Sequence, residues 1–182
     1  MTKIMEMSSS ELIQSIQSGK LKVCVIGIGR IGLPTALSFA NSGLPTVGVD
    51  INSELVTSIN SGIFPLKDEP DYAEIFQDVI KKRKFFATTQ FEEVIPKSDV
   101  ILLSLPTPMD KNNNPNYSAL ESVGKKLHNV ISKGTLVIVE STVEPGYIEN
   151  TFVKYLEGEN HKLGSDFGLG VCPETANPGE IL

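Results

Sequence analysis

A chain of 182 residues, 40% of them hydrophobic and 21% charged, holds enough apolar material for one compact domain with short additions and too little for two full domains. Its formal net charge of −6 leaves no electrostatic footprint for nucleic acid. Its two cysteines, Cys24 and Cys172, stand in no disulfide or metal-ligand spacing, so no metal is expected, and no apolar run approaches the ~20 residues of a membrane span. Residues 1–20 lack the apolar core of a signal peptide, which makes a cytoplasmic protein the expectation.

Ser8 and Glu11 have the spacing of a capping box, and Leu12, Ile13 and Ile16 fall on one face. A helix is therefore predicted over Ser8–Ser18, stopped by Gly19, as a helical extension (residues 1–20) ahead of the main domain (residues 21–182). Leu21–Ile26, apolar and rich in β-branched residues, suits a strand buried on both faces. A helix over Ile31–Asn41, a strand over Thr46–Val49, a helix from Asn52 or Ser53 to Asn60 and another over Tyr72–Lys82 follow. The one basic run, Lys81-Lys82-Arg83-Lys84, reads as the end of that last helix, where cations suit the dipole, rather than as a binding patch. Phe85–Thr88 is a third strand, Phe91–Ile95 a helical turn and Val100–Ser104 a fourth strand that runs into Pro106. After a loop rich in Asn and Pro come a helix over Ser118–Ile131, a strand over Leu136–Val139, a helix over Ile148–Leu156 and a sixth strand over Gly168–Cys172. Strands alternating with helices predict an α/β fold, a doubly wound parallel sheet of six strands in the order 3-2-1-4-5-6 with right-handed crossovers.

Gly27-Ile28-Gly29-Arg30-Ile31-Gly32 fits GxGxxG, between a buried strand and a helix, which is the context that gives the pattern meaning. Gly27 permits a tight turn, Gly29 lets the backbone approach a pyrophosphate, and Gly32 lets helix and strand pack closely, while the helix N-terminus offers free amides to phosphates. Pro34 falls in the first helical turn, where its missing N–H has no partner to lose. Asp50 lies 18 residues after Gly32, at the end of the second strand, where a carboxylate accepts hydrogen bonds from ribose hydroxyls and repels a 2′-phosphate. The residues thus describe a Rossmann-type fold that prefers NAD to NADP. Read as packing alone, the same glycines would make a turn and nothing more.

Three further segments join GIGRIGLP (Gly27–Pro34): Pro106-Thr107-Pro108 after strand four, Glu140-Ser141-Thr142-Val143-Glu144-Pro145-Gly146 after strand five, and Cys172-Pro173-Glu174-Thr175-Ala176-Asn177-Pro178-Gly179 after strand six. The ordered set resembles the UDP-glucose and GDP-mannose dehydrogenase family over about residues 21–182, and its Cys-Pro-Glu form is most similar to the UDP-N-acetylmannosamine dehydrogenase branch. The resemblance implies oxidation of a sugar C6 alcohol to a carboxylate with two NAD, through a thioester on a cysteine. It implies that Pro106 and Thr107 border the cofactor, that Thr142 does so and also holds a catalytic water, and that Glu174 assists thioester hydrolysis. Thr175 stands where bacterial relatives commonly have arginine after Pro-Glu, so that arginine's charge is missing here. The family's nucleophilic cysteine and active-site lysine lie beyond this length, so a cofactor domain that binds NAD without turning over alone is expected, with a UDP-sugar substrate and a homodimer belonging to the full-length enzyme.

Blander readings stand beside these roles. Thr142 could cap the following helix, Glu140 could be a surface or capping carboxylate, and Pro106 and Pro108 could only stiffen a turn. Cys172 ends a predicted buried strand with no His or Lys beside it, which argues against a nucleophile, and Cys24 reads as core. His128 and His161, far apart in sequence, read as satisfied or solvated side chains. The competing functional class is a stand-alone NAD-binding redox sensor or docking module. A β-hydroxyacid dehydrogenase of related fold predicts a different loop after strand four.

Overall fold

The computed structural model describes residues 4–159 and 161–173. Its centre is a six-stranded parallel sheet of β1 (Val23–Ile26), β2 (Thr46–Val49), β3 (Phe85–Thr88), β4 (Val100–Leu103), β5 (Thr135–Val139) and β6 (Phe167–Val171), in the order β3-β2-β1-β4-β5-β6. The doubly wound order expected from the alternation is therefore the one observed. Central β1 is buried along its whole length, because helices cover both faces of the sheet.

Strand alternation splits the core in two. Val23 and Val25 face a cluster with Leu33, Leu37 and Phe76, supplied by α2 (Gly32–Asn41) and α4 (Asp71–Lys81), and with Ile59 of α3 (Ser53–Asn60). Cys24 and Ile26 face the opposite cluster, with Ile95, just after the short α5 (Phe91–Val94), Leu120 and Leu127 of α6 (Ser118–Val130), and Leu156 of α7 (Val153–Leu156). Edge strand β3 is not left bare: the Asn60 amide donates to Ala87 O at 2.8 Å and accepts from Ala87 N at 2.9 Å, as a neighbouring strand would.

The extension forms a 3-10 turn, Ile4–Glu6, and α1 (Ser9–Gln17). The Ser8/Glu11 capping box is present, and Gly19 takes a φ of 64° after the helix end. Ile4 and Leu12 pack against the first cluster. The first strand begins at Val23 rather than Leu21, because the Lys22 N–H is taken at 2.9 Å by the side chain of Asp99 instead of by a strand partner.

The helix expected over Ile148–Leu156 is a π turn, Ile148–Phe152, followed by α7. Its buried residues are Ile148, Phe152, Val153 and Leu156, the face turned to the core. Burial of Cys172 is a correction. The Cys172 N–H still reaches Val139 O at 2.9 Å, but the thiol is exposed, because β6 is an edge strand whose last residues, Val171 included, run past the packed layers. Cys24 is fully buried, and burial pushes its thiol up to about 12. The two histidines read as separate are neighbours: their rings lie 6.3 Å apart, and Nδ1 of His128 is 3.2 Å from Leu156 O.

Candidate functional site

Connections leave β1 and β4 toward opposite halves of the sheet, and a crevice opens between them at the carboxyl ends of the strands. It encloses about 740 Å³, within the range of cofactor sites. The glycine loop forms one wall. Gly27 has a φ of 87°, and a Cβ there would lie 2.4 Å from Ser104 O. A Cβ on Gly32 would lie 1.9 Å from Gly27 O and 2.9 Å from the Ser104 side chain. A Cβ on Gly29 would meet no atom within 4 Å, because that position faces the open crevice. The three glycines therefore do three different things: one turns, one packs, and one leaves room.

Gly27, Gly29, Arg30 and Ile31 line the crevice, whereas the Ile28 side chain is buried at 1% exposure beneath it and Gly32 sits inside the packed start of α2. Ile28 contributes through its backbone: its N–H donates at 3.0 Å to Asp50 Oδ2, while Asn52 N–H donates at 2.9 Å to Asp50 Oδ1. Two fixed donors thus hold the carboxylate at the crevice edge, with lone pairs left over for hydroxyl donors. Arg30 pairs with Asp68, tying the loop before α4 to the glycine loop.

Opposite lie the turns after β4 and β5. Pro106, Thr107 and Thr142 all line the crevice. Ser141 laces these turns together: its hydroxyl donates to Leu105 O at 2.8 Å and accepts from Leu105 N at 2.9 Å. Thr107 Oγ1 donates to Thr142 O at 2.9 Å, closing the seam. The capping role weighed for Thr142 is not taken, because the next helical segment starts at Ile148 with Tyr147 as an N-cap that makes no side-chain bond. Nor is Glu140 a surface carboxylate. It is 7% exposed and forms part of the crevice floor. Glu174 and Thr175 lie outside the described residues.

The far end of the crevice is lined by residues that belong to none of the sequence motifs. There Ala119, Ser122, Val123 and Lys126 present one face of α6, and Thr89, Phe91 and Glu92 face them, with Lys126 Nζ 5.9 Å from the Phe91 ring centre. The signal was available: positions 119, 122, 123 and 126 share a helical face distinct from the core positions Leu120, Gly124 and Leu127. Ser141 carried no such signal, because its role depends on where the β4 turn comes to rest.

Residues 21–182 match the model of the UDP-glucose/GDP-mannose dehydrogenase family, NAD binding domain. The chain is 38% identical over 170 residues to the UDP-N-acetyl-D-mannosamine dehydrogenase of Campylobacter jejuni, covering 88% of this chain and 40% of that protein. The solved UDP-D-ManNAc dehydrogenase of Pyrococcus horikoshii shares its fold with a TM-score of 0.78 at 34% identity, over 87% of this chain and 37% of the other. A ternary complex of GDP-mannose dehydrogenase from Pseudomonas aeruginosa gives a TM-score of 0.81 at 28% identity, over 86% and 37%. The chain thus spans about 40% of the length of the relatives it matches.

Proposed function

This chain belongs to the UDP-glucose/GDP-mannose dehydrogenase family as its NAD-binding domain, and on that premise we propose that it serves a cytoplasmic enzyme that oxidises the C6 alcohol of a UDP-sugar to a carboxylate. The observation that carries the cofactor site is the joining of the glycine loop to Asp50 through the Ile28 N–H, at the mouth of a crevice of about 740 Å³. NAD, when bound, supplies the hydride acceptor for both oxidation steps. Gly29 and the α2 N-terminus receive the pyrophosphate, Ile28, Ile31 and Gly32 shape the loop that holds it, and Asp50 takes the ribose hydroxyls. Arg30 adds a cation at the same mouth.

Pro106, Thr107 and Thr142 border the reacting end. The Thr142 hydroxyl, which can donate and accept, orients a water there, and Glu174 assists thioester hydrolysis as base or water ligand. UDP-N-acetylmannosamine is the sugar favoured by the sequence likeness to the Campylobacter protein. Cys24, buried and held neutral, is no nucleophile, and the catalytic cysteine belongs to the part of the family's architecture beyond this domain, as does the homodimer contact. Calorimetric titration with NAD and NADP, followed by assay of NADH formation from UDP-N-acetylmannosamine, tests the proposal. The expected result is NAD binding, much weaker NADP binding and no turnover by this chain alone. Equal affinity for the two dinucleotides would remove Asp50 from its role, and turnover would place the nucleophile within these residues.

A further inference from the structure

A second hollow, of about 250 Å³, lies at the amino ends of β1, β2 and β3, across the sheet from the crevice. Among the described residues its lining includes four cations, Lys22, Arg83, Lys84 and Lys97, and no Asp or Glu, on a chain whose net charge is −6. Its apolar wall includes Val94 and Phe86, the latter 52% exposed on edge strand β3. Asp99, beside a lining serine, is 2% exposed and takes the Lys22 N–H, so it belongs to the packed interior.

The backbone at Arg83 gives an independent reason to single out this hollow. Helices α1, α2 and α3 each end with a glycine at φ between 64° and 97°, namely Gly19, Gly43 and Gly62. The end of α4 has the same architecture, with Arg83 N–H to Ile80 O at 3.0 Å and Lys84 N–H to Val79 O at 2.9 Å, but the residue at a φ of 54° is arginine. A Cβ is strained in that conformation, which is why glycine is usual there. Non-glycine residues are uncommon in that position, and the one that holds it here is a cation lining the hollow.

We propose that this hollow is a binding site for a small organic anion with an aromatic body, the aryl-phosphate class, with Phe86 supplying the ring contact and Arg83, Lys97 and Lys22 the countercharge. Arginine gives a planar fork for phosphate oxygens, and an exposed phenylalanine beside it gives the anion's body an apolar face. Lys84, whose Nζ donates to Gly43 O at 3.0 Å, fixes the hollow's wall. The basic run that reads as a helix end thus divides: Lys82 pairs with Asp78 on the helix surface, and Arg83 and Lys84 turn the corner into the hollow.

The test is an amide-resolved NMR titration of the chain with phenyl phosphate, with inorganic phosphate and benzyl alcohol as charge-only and ring-only probes. Phenyl phosphate is expected to shift the amides of Lys22, Arg83, Phe86 and Lys97 with a Kd of about 1 mM or below, and inorganic phosphate to bind at least about tenfold more weakly. Arg83→Gly is the informative variant: removal of the strain raises the Tm by about 2–4 °C, while phenyl phosphate affinity falls about tenfold. Phe86→Ser, on an exposed side chain, leaves the fold intact and weakens phenyl phosphate without changing the response to inorganic phosphate. No shift in the hollow, an equal response to all three probes, shifts confined to Gly27–Gly32, or undiminished affinity in both variants would each overturn the proposal.

Discussion

Two glycine-to-alanine substitutions three residues apart are expected to fail in opposite ways. In Gly32→Ala the new methyl lies 1.9 Å from Gly27 O and 2.9 Å from the Ser104 side chain. Both neighbours are fixed, one by backbone and one by β4, so the start of α2 must shift by about 1 Å or more, at a cost of about 2–4 kcal/mol. At about 2–4 °C per kcal/mol, the Tm falls by roughly 5–15 °C. In Gly29→Ala the methyl meets nothing within 4 Å, and the φ there is not in the left-handed region. Stability is then unchanged or higher by about 0.4–1 kcal/mol. The methyl instead occupies the space into which a pyrophosphate must come, and loss of charge-assisted bonds worth about 1.5–3 kcal/mol weakens NAD by roughly 10–100-fold. Thermal melts and calorimetry on the same two proteins decide the matter. Wild-type NAD affinity in Gly29→Ala at unchanged Tm, or an unchanged Tm in Gly32→Ala, would refute this division of labour.

Asp50→Ala removes the acceptor shared by Ile28 and Asn52; NAD affinity is expected to drop by about 1–3 kcal/mol, with calorimetry against NADP showing the preference between dinucleotides narrowed. Asp68→Ala frees Arg30 from its exposed partner and removes a negative charge near the phosphates, so NAD is expected to bind about two- to fivefold tighter at low salt, a gain that fades as ionic strength rises. A loss of affinity instead would mean that the Arg30–Asp68 pair builds the site rather than competing with it. Alkaline pH is expected to unfold the protein through Cys24. Its folded value of about 12 lies above the ordinary 9.0, so between those limits the unfolded chain has released a proton that the folded chain retains, and stability falls as pH rises. Tyr147, raised by burial from 10.0 to about 12, adds to the loss above pH 10. Tm against pH should be flat through these groups below pH 9 and decline above it, and Cys24→Ala, though less stable overall, should show a shallower decline.

The fold was legible because its signals are local and repeated. Val23–Ile26, Thr46–Val49 and Phe85–Thr88 are short apolar runs, each followed by turn or helix chemistry, and the glycines and Asp50 sit at fixed offsets from the first two. What escaped depends on distance. The burial of Glu140 and the exposure of Cys172 follow from which strand lies at an edge, which no window of sequence reports. Ser141 becomes a clasp only because parallel pairing brings Leu105 beside it, 36 residues away. His128 and His161 meet only once α6 and the segment after α7 are laid side by side. The π turn left no mark in the sequence, because Ile148, Phe152 and Leu156, four apart, share a face in an ordinary α-helix as well.

The position of β1 also orders events on the ribosome. Its first partner, β2, ends at Val49, so one edge of β1 is covered early, while its second partner, β4, is not complete until Leu103 has been made. During that interval the nascent first half carries a bare parallel edge in the strand most buried in the finished protein, the kind of edge that other chains can add to. Pairing with β4 ends that exposure, and Asp99 fixes the register there: its carboxylate takes the Lys22 N–H just ahead of the first paired residues, Val23 and Val100.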